Sequence, residues 1–148
     1  MQRDLAGFVG GIIGGLAMLI LDQVTFAANI SSVNSIGIMS RFLFPTGRIN
    51  YVAGWLIGLL ITGAVGWLVA KVLKVLPEKY SREFITSGLI LGIILWGAMN
   101  IVFAVTGTIT PTWSMGASSL IVNLITHLVL GVIITYTLWI TKAEVVEQ

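Results

Sequence analysis

The sequence contains no cysteine, which excludes disulfides, thiolate metal ligands and cysteine nucleophiles. Charge is nearly as scarce. Only 9% of the 148 residues are Asp, Glu, Lys or Arg, against about 25% in an ordinary soluble domain. So few charges cannot cover a water-facing surface, and they also exclude disorder, which needs low hydrophobicity and high charge. A net charge of +2, scattered along the chain, does not suit nucleic acid. There is one histidine, so the H-E-x-x-H metal pair is missing. No glycine run ends in G-K-[ST], so there is no phosphate-binding loop. No cofactor, metal site or catalytic motif is expected, and the chain reads as non-enzymatic.

What remains is apolar. Hydrophobic residues make up 57% of the chain, and they fall into four long runs. A spanning helix needs about 20 mainly apolar residues. Runs at about 5–28, 51–70, 84–105 and 118–140 meet that length. They do not alternate as membrane β-strands would. The expectation is a single all-α transmembrane domain over 1–148, a four-helix bundle. A cleaved signal peptide is not expected at the first run. Its core exceeds the usual length of about 7–15 residues, and its glycines are spaced for helix packing.

Orientation follows the basic residues of the short loops. With four spans, Arg3, Lys71, Lys74, Lys79, Arg82 and Lys142 share one side, and Arg41 and Arg48 the other. That predicts both termini in the cytoplasm of an inner, cell membrane. Tyr51, Trp55 and Trp113 would mark the outer interface, and Trp67, Tyr80, Tyr136 and Trp139 the inner one. Lys71, Lys74, Lys79 and Arg82 read as a topology signal and a surface for anionic lipid. In the connection that carries them, Pro77 ends the preceding helix, Ser81 is the expected N-cap of the next and Glu83 falls in its first turn.

The first outer loop is longer. Ile36, Met39, Phe42 and Leu43 fall on one side of a helix, with Ser35, Ser40 and Arg41 elsewhere. This predicts a short amphipathic helix at the interface, ended by Pro45-Thr-Gly47, with a lid over the bundle as the functional alternative. The second outer connection, Thr106 to Trp113, is polar and uncharged and reads as a tight turn.

Seventeen glycines in a helical protein need a reason, because each weakens its helix relative to Ala. Their spacing supplies one. Gly7, Gly11 and Gly15 recur at four-residue steps with Gly10 and Gly14 beside them. Gly54 and Gly58 run on to Thr62 and Gly66. Gly88 and Gly92 share a face, and Gly131 follows His127 by four. Such small-residue stripes let helix backbones approach closely in lipid. The first span has two glycine faces, one for its own bundle and one free for a neighbouring copy, which predicts a homo-oligomer.

Intramembrane polar groups are costly. At a rise of about 1.5 Å per residue, Asp22, Asn100 and Asn123 each lie about 24–26 Å from the cytoplasmic end of their span, and His127 about 20 Å. Each continues a small-residue stripe, so the four are expected to meet in one layer of the outer half. Trp96 is expected to be a buried packing residue. The layer reads as structural hydrogen bonding or as a proton or cation pathway. Ser118 and Ser119 read as caps of the last span.

The run G-x-x-G-G-x-x-G-G-x-A-M at Gly7–Met18 and H-L-V-L-G at His127–Gly131 resemble uncharacterised families of small four-helix bacterial inner-membrane proteins. The resemblance implies a bacterial four-span protein and nothing chemical. The first functional expectation is a non-enzymatic, self-associating structural or scaffold protein whose partners are the lipid bilayer and its own copies. The alternative is a small oligomeric channel or transporter using the Asp22 and His127 layer.

Overall fold

A computed structural model describes residues 2–44, 48–75, 83–107 and 109–146. Within them lie α1 (Arg3–Ala27), α2 (Ser35–Leu43), α3 (Tyr51–Val75), α4 (Phe84–Thr106), a single 3-10 turn (Thr112–Ser114) and α5 (Ala117–Val146). Four helices contain stretches long and apolar enough to cross a membrane, of 25, 23, 23 and 25 residues. At about 1.5 Å per residue each exceeds the roughly 30 Å of a hydrocarbon core. α1 and α4 begin and end close to the expected limits, whereas α5 runs on past residue 140 to Val146 and α3 past residue 70 to Val75. There Lys71 continues the helix, its ammonium 3.7 Å from Asp4 of α1 and 4.6 Å from the centre of the Trp67 ring. Lys79, Arg82, Pro77, Tyr80, Ser81 and the Pro45–Gly47 turn lie outside the described residues. Glu83 sits at the cap position before α4 rather than in its first turn, and its side chain makes no cap bond.

The helices form a row. α1 packs on both α3 and α5, α4 packs on α5, and α3 and α4 do not pack closely on each other despite being neighbours in sequence. Burial follows this order. In the most apolar stretch of α1, 44% of residues are buried, against 22% in α4. Leu19, Ile134 and Ala6 are fully buried at the centre, with Leu130, Leu138 and Val69 around them.

Glycine makes the two α1 seams. A methyl group placed on Gly11 would lie 2.8 Å from the carbonyl carbon of Thr62 and 2.9 Å from Gly63 Cα. Gly7 meets Gly66 and Ala70, and Gly15 meets Thr62. On the other face a methyl on Gly14 would meet Leu130 at 2.9 Å, and Gly10 abuts Thr137 and Ile134. Across α4 and α5, Gly88 faces Val132 and Thr135, Gly92 faces His127 and Leu128, and Gly131 faces Gly88 and Gly92. The expectation that one glycine face of α1 is left for a neighbouring copy therefore fails. α3 takes one face and α5 the other.

α2 also departs from expectation. Ile36 and Met39 are buried, but so are Ser35 and Ser40, which lie off that apolar side. The Ser40 hydroxyl accepts from the Asn50 N–H at 2.8 Å. Gly54 abuts the Ile36 carbonyl, and Gly58 abuts Leu19 and Met39. Gly54 thus seats α2 on α3, whereas Gly58 packs first on Leu19 of α1 and so also joins two spans. Asn34 caps α2, its Oδ1 accepting from Gly37 N–H at 2.8 Å. The side chains of Phe42 and Leu43 are outside the described residues.

Candidate functional site

The end of the molecule away from both termini holds most of the buried polar chemistry. Asp22 lies in the last two turns of α1 and is 1% exposed. It is the acidic member of a span otherwise without charge beyond its first turn. The Ser35 hydroxyl, in the first turn of α2, donates to Asp22 Oδ2 at 2.5 Å. The chain reaches this position through a tight exit from α1, in which Asn29 adopts a left-handed φ of 57°. Asn tolerates that region better than most residues with a side chain.

Thr126 of α5 brings the second half of the site. Its side chain lies beside the Asp22 carboxylate, and its hydroxyl donates to the Asn123 carbonyl at 3.0 Å. The same Asn123 carbonyl is 2.8 Å from His127 Nδ1. A carbonyl only accepts, so Nδ1 carries the hydrogen and the neutral ring presents Nε2 as an acceptor. Thr126 thus brings α5 beside Asp22, whereas the hydrogen bonds of Asn123 and His127 among the described residues run within α5, Asn123 contributing its backbone rather than its amide. The second carboxylate oxygen, Asp22 Oδ1, is buried and has no hydrogen-bond partner among the described residues.

Asn100 stands apart from this group. It is 1% exposed, and its Oδ1 accepts from both the N–H of Thr112 at 2.7 Å and the Thr112 hydroxyl at 2.8 Å. Its Nδ2 donates to the Trp96 carbonyl at 2.9 Å. The outer turn expected at Thr106–Trp113 is therefore drawn inward onto α4, with Thr112 buried. Trp96 is half-buried rather than buried. It meets Trp113 edge to face with centroids 6.4 Å apart, and its Nε1 is buried without a partner.

Several members of the site were not singled out from sequence. Ser35 and Thr112 lie in connecting segments, and their bonds reach across 13 and 12 residues. Ser119 does not serve as a cap. Its hydroxyl accepts from Ser32 N–H, 87 residues away, at 2.9 Å. The usable signal was the clustering of hydroxyl residues in apolar surroundings, but it does not specify pairs.

At the other end, Lys71 is exposed beside Asp4 and Trp67. Phe84, Tyr136 and Trp139 form an aromatic group with centroids 5.2–6.2 Å apart. Thr135 donates across the helix pair to the Phe84 carbonyl at 2.7 Å. Lys74 sits in the final turn of α3, with its side chain outside the described residues.

The chain is thus an all-helical protein with four helices long and apolar enough to cross a membrane, glycine seams between its helices and, in Asp22, a buried carboxylate. More particularly, the chain belongs to the family of unknown function DUF6789, whose model matches residues 1–146. No curated protein and no solved structure matches it.

Proposed function

We propose that this chain is an integral protein of the inner, cell membrane, with both termini on the cytoplasmic side, whose buried layer beneath α2 handles a proton or a small cation. The reading assigns no catalytic step and no cofactor. One observation carries it. Asp22 is buried near the end of α1 away from both termini, tied on one oxygen to a hydroxyl of α2, while Oδ1 has no partner among the described residues. A carboxylate held in apolar surroundings is costly and marks a functional position. Its open oxygen is where a proton or cation would sit. α2 lies over the layer as the lid considered from sequence.

The test is flux. Purified protein in liposomes should carry protons or a monovalent cation, read by an internal dye under an imposed gradient. Asp22→Asn keeps the shape and the Ser35 bond geometry and should abolish the flux. His127→Ala should reduce it. No flux in the wild-type protein for protons, sodium or potassium would overturn the reading.

A second reading, a self-associating structural protein, is favoured by Gly97. A methyl group there would meet nothing within 4 Å, and Ile90, Ile93, Ile94 and Ile101 around it are exposed. A glycine open on an apolar helix face is where a second copy could approach closely. Mass measurement in mild detergent should then give an oligomer that Gly97→Leu dissociates. A wild-type monomer at all protein concentrations would remove this reading.

A further inference from the structure

The outer end of the molecule carries a second concavity, separate from the layer around Asp22. Ser32, Asn34, Gly37, Ile38 and Arg41 form one wall, from α2 and the segment before it. Ile49 and the turn residues Ile109, Thr110 and Met115 close the other side. This half-open hollow has a volume of about 310 Å³, at the small end of ligand pockets, which run from about 300 to 1,000 Å³.

Its chemistry has one sign. Segments 28–50 and 107–116 contain two arginines and no acidic residue. Arg41 makes no ion pair among the described residues, where the recorded pair is Lys71 with Asp4. Asn34 uses its Oδ1 on Gly37 N–H, which leaves its Nδ2 hydrogens as donors. Ser32 and Thr110 add hydroxyls. A guanidinium, an amide N–H and two hydroxyls therefore share the pocket with Ile38, Ile49, Ile109 and Met115. No carboxylate is there to neutralise the arginine.

We propose that this pocket binds a small monoanion with an apolar portion, a carboxylate or phosphate ester whose charge is taken by Arg41 and whose hydrocarbon lies on the isoleucines and Met115. A guanidinium pairs with such oxyanions through charge-assisted hydrogen bonds. A single cation suits one negative charge rather than a polyphosphate. The same chemistry could come from a free solute of the outer aqueous phase or from the headgroup of an anionic lipid. The site neither requires nor uses Asp22, so it stands or falls apart from the proton or cation reading.

Calorimetric titration of hexanoate into the protein in phosphatidylcholine nanodiscs, corrected with empty discs, tests it. Hexanoate should bind saturably, and hexanol, which lacks the charge, should bind about tenfold more weakly or worse. Arg41→Gln should weaken hexanoate by a similar factor, Arg41→Lys should retain part of the affinity, and Arg48→Gln, outside the pocket, should change nothing. Arg41 is exposed, so an unchanged melting temperature is expected and checks that these variants fold. Adding phosphatidylglycerol to the discs separates the sources. Competition lost in Arg41→Gln points to a lipid headgroup, and unaltered hexanoate affinity points to a free solute. Either supports the site. Absence of saturable hexanoate binding, equal affinity for hexanol, or an Arg41→Gln variant that binds like the wild type would overturn it.

Discussion

Two glycines on different helices should respond in opposite ways to the same added methyl group. At Gly11 the methyl would press on the backbone of α3, 2.8 Å from the Thr62 carbonyl carbon, and a backbone cannot rotate aside as a side chain can. Overpacking of this kind costs about 1–3 kcal/mol. At Gly97 the methyl meets nothing, so helix propensity alone applies and favours Ala by about 1 kcal/mol. Thermal unfolding in nanodiscs should place Gly11→Ala below the wild type and Gly97→Ala at or above it. A fall at both positions would mean that Gly97 faces a neighbour. The residue scale also isolates Asn100, which is the acceptor for two bonds from Thr112. Asn100→Leu leaves the buried Thr112 N–H and hydroxyl without that acceptor, at a cost of about 1–3 kcal/mol. Thr112→Val removes one bond and should cost less. In the double variant the effects should be less than additive, and additive losses would deny the contact.

At the scale of elements, the four long helices were legible because their signal is local: an uninterrupted apolar run of sufficient length specifies a spanning helix whatever surrounds it. The glycine stripes were legible for a related reason, since a four-residue step places residues on one face. What they face is not local. Gly54 and Gly58 carry the same spacing as Gly7 and Gly11, yet Gly54 seats α2 and Gly58 meets Leu19 of α1. The short helix was found from its periodicity, which set its serines off the apolar side and named no partner for them. Here the partner of Ser35 is Asp22, on another helix, and no pattern within α2 encodes that. Counting rise placed Asp22, Asn100, Asn123 and His127 at similar levels, but it names no partners, and the bonds of Asn100 to Thr112 depend on how Thr112 is brought onto α4. The Ser35 contact yields its own prediction. Ser35→Ala leaves a second carboxylate oxygen without its hydroxyl, and α2 should be held less firmly. Backbone amides of 35–43 should then exchange with deuterium faster, while those of α1 and α5 stay as slow as in the wild type. Unchanged exchange in α2 would show that apolar contacts of Ile36 and Met39 alone hold it.

For the whole molecule, the order α3–α1–α5–α4 decides how damage spreads. α1 is the shared neighbour, with one glycine seam on each side, whereas α4 is held chiefly through α5. A substitution in an α1 seam should loosen the centre and bring down the assembly in one transition. One in the α4 seam should release a single flank. Gly92 faces the His127 carbonyl and Leu128 Cα, the latter 2.6 Å from a methyl placed there, so Gly92→Val separates α4 from α5 without touching α1. Because this protein has no cysteine, single cysteines can be introduced as reporters, at Leu95 on the inner flank of α4 and at Ala6 in α1. In Gly92→Val the Leu95→Cys thiol should become reactive to a membrane-permeant maleimide under conditions where the Ala6→Cys thiol stays protected. In Gly11→Val both should become reactive together. Simultaneous exposure in the Gly92 variant would mean that α3 and α4 support each other and that the helices close into a ring rather than a row.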